Sequence, residues 1–143
     1  MPERSRDWLR QAERDLENAR WEIKGGFYEW GCFAAHQAAE KALKAVYQKL
    51  GGAAWGHSLL HLLRGLEERI SIPEDLFELA RKLDVYYIPS RYPNGWEEGA
   101  PRDYYTEKEA LYAVGAAEEI LRFCKGLLAG SGSGSEKSQG KCS

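Results

Sequence analysis

The sequence predicts an all-α protein, a bundle of about five helices with a long ordered loop before the last one. Apolar residues recur at three- and four-residue spacing in five separate segments, and no segment alternates strictly as a half-buried strand would. Short connections bounded by glycine separate the helical segments, which favours antiparallel neighbours. A chain of 143 residues is long enough for one core and too short for two independent ones.

The first two predicted helices differ in character. The first is amphipathic, with arginines and glutamates opposite an apolar stripe. The second spans about 27–50 and is rich in alanine, which gives high helix propensity and lets a neighbouring helix approach closely. Gly-Gly pairs at 25–26 and 51–52 end the two helices. The stripe of the first helix consists of Trp8, Ala12, Leu16, Ala19 and Ile23.

The last three helices begin with recognisable signals. Ser58 is the expected N-cap of the third helix, and Pro73 is a favoured first residue for the fourth. Thr106 and Glu109 have the spacing of a capping box at the start of the fifth. The third helix is expected to bury Leu59, Leu62, Leu63, Leu66 and Ile70.

The segment 85–105 before the last helix contains three prolines, two glycines and several aromatic residues. Prolines and glycines at this density break a helix and indicate a long ordered loop. Loops of this length in a small domain often carry function.

The chain is expected to divide into a helical domain at 1–129 and a flexible Gly/Ser-rich tail at 130–143. The tail has no aliphatic or aromatic side chain, so it cannot bury enough surface to order itself. The chain has a net charge of −2, and the tail carries Lys137 and Lys141 against Glu136, which leaves −3 elsewhere. An acidic domain would bind a nucleotide through a focused site rather than a broad basic surface.

Composition also indicates a compartment. No apolar run is long enough to cross a membrane, and the first residues are too charged for a signal peptide. Cys32 and Cys124 lie at apolar helical positions, Cys142 lies in the tail, and no spacing resembles a zinc site. These features predict a cytoplasmic protein with reduced, buried thiols, no membrane association, no metal and no cofactor.

The second helix carries the first group of candidate site residues. His36 and Glu40 are four residues apart and share a face, as do Gln37 and Lys41, and Glu40 and Lys44. These residues could form a solvated face with helix-stabilising pairs. They could instead line a crevice or a dimer seam, because the alanines around them keep the polar groups close to the buried stripe.

The loop carries the second group, within Ser90-Arg91-Tyr92. Arg91 could clamp a phosphate or carboxylate through two hydrogen bonds, and Tyr92 could stack on a base. Alternatively, Arg91 anchors the loop internally by pairing with Glu40 or Asp84.

Two further histidines, His57 and His61, have the four-residue spacing of metal ligands on one helix face. Leucine rather than an acidic residue lies between them, so we favour a capping role for the His57-Ser58 pair.

Three sequence strings together resemble the HEPN family (higher eukaryotes and prokaryotes nucleotide-binding domain). They are HQAAEKALKA at 36–45, GHSLLHLL at 56–63 and YIPSRYPN at 87–94. The resemblance covers about 8–128 and implies a small up-and-down bundle with a four-helix-bundle-like core that forms homodimers. It also implies a place beside a minimal nucleotidyltransferase in a toxin–antitoxin-like system.

The ribonuclease signature of that family is an arginine followed by a histidine after four to six residues. In those enzymes the histidine helps to activate the ribose 2′-hydroxyl and the arginine steadies the phosphate. Neither Arg91 nor Arg102 is followed by such a histidine. The resemblance therefore implies a protein that is not an enzyme but binds a nucleotide or phosphate and a protein partner.

Three functions stay open on the sequence alone. The preferred one is a module that binds a nucleotide or RNA with Arg91, Tyr92 and the polar residues of the second helix, paired with a nucleotidyltransferase. The second is a metal-independent ribonuclease in which a displaced histidine, such as His36 or His57, supplies the missing base. The third is a purely structural helical bundle.

Overall fold

The computed structural model describes residues 3–130 of the chain, and within that range it is all-α, as predicted. No strand occurs in the part that is described. The helices are α1 Ser5–Lys24, α2 Tyr28–Leu50, α3 Leu59–Leu66, α4 Glu74–Asp84 and α5 Glu107–Gly130.

Helix α2 lies at the centre of the bundle and packs most extensively against α1 and α5. Its alanines leave room for these close neighbours, as the sequence predicts. The fully buried alanines of α2 are Ala35, Ala38, Ala39, Ala42 and Ala45.

Glycines end the first two helices, as expected. Gly26 and Gly51 have φ angles of 84° and 77°, in the left-handed region that favours glycine. Three residues join α1 to α2, and the two helices pack along each other as a hairpin.

Helix α3 begins where the sequence predicts and ends earlier. The hydroxyl of Ser58 accepts a hydrogen bond from the backbone N–H of His61 at 3.1 Å, which confirms the N-cap. After Leu66 the N–H groups of Glu67 and Arg69 bond to carbonyls three residues back, and this tighter turn ends the α-helical pattern. Ile70 therefore lies beyond α3, although it still packs against the core.

The loop between α4 and α5 is ordered by its aromatic side chains. The rings of Trp96 and Tyr104 stack at a centroid distance of 3.8 Å. The indole N–H of Trp96 donates to the carbonyl of Pro89 at 2.8 Å. Two short 3₁₀ turns, Pro93–Gly95 and Pro101–Asp103, complete the loop.

Helix α5 begins with part of the expected capping arrangement. The hydroxyl of Thr106 accepts a hydrogen bond from the N–H of Glu109 at 3.1 Å. The carboxylate of Glu109 accepts the hydroxyl of Tyr86, so it also fastens the loop to the helix. Burial and this hydrogen bond raise the pKa of Tyr86.

Two predictions concern the C-terminal tail and the absence of a membrane-spanning helix. Residues 131–143 of the predicted tail, with Cys142, lie outside the described residues, and Gly130 is the last residue of α5. None of the described helices combines the length and the apolar character that crossing a membrane requires.

Candidate functional site

Polar residues of α2 meet the start of α3 and the end of α4 in one cluster. Helix α2 supplies His36 and Glu40, which lie on one face because they are four residues apart. The turn before α3 supplies His57, and the last residue of α4 supplies Asp84. We call these four residues the His–carboxylate cluster.

Glu40 is a buried carboxylate with two basic partners. Its side chain is 6% exposed, and both of its oxygens lie 3.1 Å from Nδ1 of His57. Lys44 donates to Oε2 at 3.0 Å. A third group, Nδ1 of His36, lies 4.0 Å from Oε1. A buried charge is retained in a protein only with such partners.

Asp84 joins three helices. Its Oδ1 lies 3.1 Å from Nε2 of the fully buried His36 and accepts the N–H of Leu59 at 2.7 Å. Its Oδ2 accepts the N–H of Leu60 and the hydroxyl of Ser58. Burial alone would raise the pKa of Asp84, but these hydrogen bonds outweigh it and lower the pKa below the ordinary value.

The ring of Tyr87 links the cluster to Arg91. His57 stacks on it at a centroid distance of 4.8 Å, and the ring of His36 lies 5.1 Å away. The guanidinium carbon of Arg91 lies 4.6 Å from the centre of the same Tyr87 ring. The cluster and Arg91 therefore share one aromatic contact.

The side chain of Arg91 is held by a backbone carbonyl four residues earlier and by aromatic rings. Its Nε donates to the carbonyl of Tyr87 at 2.8 Å. Its guanidinium also lies over Phe33 at 4.4 Å and Tyr92 at 5.0 Å. Within residues 3–130 no carboxylate lies within ion-pair distance of Arg91, so the internal pairing with Glu40 or Asp84, one of the two alternatives for this residue, does not form.

The structure places the remaining predicted site residues in different surroundings. Lys41 points toward α1, where its ammonium lies 2.6 Å from Oδ2 of Asp15. The side-chain oxygen of Gln37 lies 3.3 Å from Nδ1 of His36. Tyr92 is exposed beside Arg91, and Lys44 is bound to Glu40.

Phe33 and Tyr87 were not anticipated from the sequence, and the role of His57 differs from the capping role expected. Phe33 lies four residues before Gln37 on α2, and this spacing was the available signal for it, because residues four apart on a helix share a face. Tyr87 lies four residues before Arg91 in the loop after α4, where that rule does not apply. His57 precedes the Ser58 cap, and nothing in the local pattern shows that Glu40 lies beside it.

A second concave region lies between α1 and α5. This groove has a volume of about 680 Å³, and its lining mixes basic and acidic side chains, with Arg14, Arg20 and Lys125 among the basic ones. These three are already paired with Glu17, Glu118 and Glu13. Paired charges attract a further anion weakly, so the cluster beside Arg91 is the better candidate site. No group of His, Cys, Asp and Glu in the described residues is arranged to hold a metal ion.

This chain is thus a small all-α protein in which a buried polar network lies beside an arginine that packs against aromatic rings. Residues 5–127 match the HEPN domain model, and the chain belongs to the HEPN domain family. A curated relative from Methanocaldococcus jannaschii, named "Putative toxin MJ1304", is 28% identical over 130 residues, which cover 85% of this chain and 86% of the relative.

Solved structures agree with this assignment. TT1696 from Thermus thermophilus is 47% identical with a TM-score of 0.85, over 87% of this chain and 98% of that one. ST0689, described as an archaeal HEPN homologue, is 45% identical with a TM-score of 0.76, over 89% and 99%. The HEPN domain protein tm0613 from Thermotoga maritima is 41% identical with a TM-score of 0.72, over 86% and 98%.

Proposed function

We propose that this protein binds the phosphate of a nucleotide or RNA at Arg91 and acts as the interaction module of a toxin–antitoxin-like pair. The observation that carries the proposal is how the hydrogen-bonding groups of the Arg91 guanidinium are used. Its Nε is held by the carbonyl of Tyr87, and no carboxylate among residues 3–130 pairs with it. Its terminal amino groups are therefore available for the bidentate contact that phosphates prefer.

The surroundings of Arg91 suit a nucleotide better than a free phosphate. Tyr92 is 47% exposed and offers a ring on which a base can stack. His36, Gln37, Glu40 and Lys44 support the site from α2 by holding one another and the adjacent His57. Lys41 is left out of the proposed site because its ammonium is bound to Asp15.

The proposed partner is a minimal nucleotidyltransferase, and the proposed assembly contains two copies of this chain. Family membership supports both, and the name of the Methanocaldococcus jannaschii relative supports the toxin–antitoxin setting. A cytoplasmic location agrees with the buried thiols of Cys32 and Cys124. Co-expression with the nucleotidyltransferase encoded nearest in the genome should yield a complex that elutes as one peak, and sedimentation should give the mass of a dimer for the chain alone.

Calorimetric titration with ATP, AMP and a short single-stranded RNA tests the binding site. Whichever of these ligands the wild type binds, Arg91→Ala should weaken its binding at least tenfold, because a charged hydrogen bond contributes about 1.5–3 kcal/mol. Arg102→Ala is the matched control, since Arg102 is an exposed arginine of the same loop and should bind as the wild type does. Equal binding by the two variants, or none by the wild type, would favour a purely structural role for Arg91.

A further inference from the structure

We propose that the groove between α1 and α5 is a docking surface for an acidic amphipathic helix of a protein partner. The inference rests on the proposed role as an interaction module and gives that role a surface. All residues that line the groove belong to α1 and α5. The His–carboxylate cluster and Arg91 belong to α2, α4 and the segments before α3 and after α4. The two surfaces share no element, so each can be altered separately.

The groove continues along α1 beyond the part described above. A second section of about 430 Å³ adjoins the first, and Arg14, Glu17 and Arg20 line both sections. Together the two sections extend along α1 from Arg10 to Lys24. A helix rises 1.5 Å per residue, so this stretch is about 21 Å long. The groove is therefore long enough to hold a partner helix of about 15 residues.

The groove is a basic surface on an acidic protein. Six of the charged side chains that line its two sections are basic and three are acidic, which gives a net charge of +3. The whole chain carries −2, so the rest of it carries −5. Complementary charges steer two proteins together and disfavour other orientations. A partner with an acidic face is therefore attracted to this groove and repelled by the remaining surface.

The ion pairs along the groove do not prevent a partner from using its cations. Arg14 and Glu17, and likewise Arg122 and Glu119, are exposed pairs within one helix. Such pairs contribute little to stability, so a carboxylate of the partner can join or replace the internal one. Within residues 3–130 no ion pair or side-chain hydrogen bond holds Arg10. A single small anion gains little here, but a helix brings several carboxylates to the groove at once.

Apolar side chains give a partner helix something to bury. Leu16 of α1 and Leu121 of α5 lie in the lining of the groove and are almost fully buried. Trp21 lines the second section and is 71% exposed, with the ammonium of Lys24 5.5 Å from its ring centre. Tryptophan and arginine often dominate the free energy of binding at protein interfaces. An apolar floor with cations beside it fits the apolar face and acidic flanks of an amphipathic helix.

The carboxylates in the lining favour a protein over a nucleic acid as the occupant. Glu13, Glu17 and Glu118 lie among the cations of the groove. A nucleic acid carries a negative charge at every phosphate, so it would meet these carboxylates with repulsion. A helix can place a neutral or basic side chain opposite each of them and acidic side chains opposite the arginines. The mixed lining therefore fits a segment in which acidic residues predominate without being the only charged ones.

The test measures the binding of a fluorescein-labelled peptide of about 15 residues to the full chain by fluorescence anisotropy. In this peptide leucine recurs every three or four positions, and glutamate and alanine fill the other positions. We expect the wild type to bind it, with an affinity that falls as salt is added, because exposed charges are screened. A peptide of the same pattern with lysine in place of glutamate should bind roughly tenfold more weakly.

Charge reversal shows whether the peptide lies in the groove. Arg10→Glu/Arg122→Glu changes one cation on each wall, and it should weaken binding of the acidic peptide roughly tenfold. The same variant should bind the lysine peptide more tightly than the wild type does. Arg102→Glu/Lys108→Glu makes the same change in net charge at exposed positions outside the groove. At an ionic strength of about 0.15 M this control should bind the acidic peptide as the wild type does, because distant charges are screened.

Truncation of an exposed ring tests the apolar contact in the same way. Trp21→Ala should weaken binding of the acidic peptide roughly tenfold, because it removes the exposed aromatic side chain of the groove. Trp55→Ala is the matched control, since Trp55 is 78% exposed and lies outside the groove. Both tryptophans are exposed, so neither substitution should change the melting temperature, and circular dichroism confirms that each variant is folded.

Several outcomes would overturn the inference. They are no binding of the acidic peptide at low salt, equal binding of the two peptides, and equal loss in the groove and control variants. Competition by a short single-stranded RNA that Arg10→Glu/Arg122→Glu abolishes would also overturn it, since the groove would then bind nucleic acid.

The same variants separate this inference from the proposed function. If the complex with the nucleotidyltransferase forms equally well with Arg10→Glu/Arg122→Glu, the proposed partner stands and the groove is not its docking surface. If no complex forms but the acidic peptide binds with the expected dependence on Arg10, Arg122 and Trp21, the groove stands and the proposed partner fails. Arg91→Ala should leave binding of the peptide unchanged in either case.

Discussion

Oδ1 of Asp84 lies 3.1 Å from Nε2 of His36, and the imidazole of His36 has no exposed surface. This pair connects α4 to α2 across the bundle. Because Asp84 also accepts the N–H groups of Leu59 and Leu60, the same carboxylate fixes the start of α3 beside the candidate site. The position of His57, which directly precedes the Ser58 N-cap of α3, therefore depends on Asp84.

Replacing Asp84 should lower the stability of the fold. Asp84→Asn puts an amide donor in place of one carboxylate oxygen, so either the donors at Oδ2 or those at Oδ1 lose their acceptor. An unsatisfied buried group costs about 1–3 kcal/mol, and urea unfolding at neutral pH should show a loss of this size. Asp75→Asn, at an exposed position in the first turn of α4, should change the unfolding free energy much less.

The same substitution predicts a pH dependence. Hydrogen bonds lower the pKa of Asp84 in the folded protein. Its contribution to stability is therefore complete above the unfolded aspartate pKa of about 3.9 and is lost as the pH falls through the lower folded value. The difference in unfolding free energy between wild type and Asp84→Asn should shrink below about pH 4. A difference that grows on acidification would contradict the direction of this shift.

Lys41 should matter for stability and not for ligand binding. Its ammonium and the carboxylate of Asp15 are 25% and 18% exposed and join α2 to α1. Lys41→Met keeps the aliphatic stem and should cost about 1 kcal/mol of unfolding free energy, the upper range for a partly exposed pair. In calorimetric titration it should bind the ligand of the wild type with the same affinity. Weaker binding by Lys41→Met would show that Lys41 contributes to the binding site.

The helices could be predicted from the sequence because each one carries local signals. The stripe of α1, the alanines of α2 and the Ser58 cap are all patterns of residues within a few positions of each other. The end of α3 was missed because no strong breaker follows Leu66. Ile70 continues the helical spacing and packs against the core even though the helix has ended.

The candidate site was only partly predictable, because its contacts join residues far apart in the chain. The sequence singled out Glu40 and Arg91, paired Glu40 with Lys44 on α2, and offered Glu40 or Asp84 as one possible partner of Arg91. In the structure Glu40 holds His57 and Lys44, while Arg91 lies against rings. Which basic side chain contacts a buried carboxylate depends on how α3 and α4 pack on α2, and helical periodicity does not encode that packing.

The thiols of Cys32 and Cys124 should be unreactive in the folded protein. Both are fully buried, and burial raises the pKa of Cys32 to about 12 and also raises that of Cys124. In a Cys142→Ser variant, a colourless disulfide reagent that releases a coloured thiolate should react only after guanidinium unfolds the chain. The same variant in denaturant provides the full signal for two thiols. Rapid reaction without denaturant would show that one of these positions opens to solvent.

Gly65 and Tyr47 should be energetically coupled. The hydroxyl of Tyr47 donates to the carbonyl of Leu62 at 2.8 Å, and a Cβ atom placed on Gly65 would overlap that hydroxyl oxygen. In a Tyr47→Phe background the nearest ring carbon is 3.4 Å away, an ordinary contact. Gly65→Ala should therefore stabilise Tyr47→Phe by about 0.5–1 kcal/mol through helix propensity.

In the wild-type background the same Gly65→Ala change should not raise the free energy of unfolding. The displaced hydroxyl of Tyr47 loses its hydrogen bond to the carbonyl of Leu62, which costs about 1 kcal/mol of stability. Urea unfolding of the four proteins in this double-mutant cycle measures the coupling directly. Gly115→Ala on α5 is the control for propensity alone, since a Cβ there meets no atom within 4 Å apart from its chain neighbours and the adjacent backbone of its own helix, and it should stabilise both backgrounds equally. Equal gains from Gly65→Ala with and without the hydroxyl of Tyr47 would mean that the tyrosine does not occupy this position in solution.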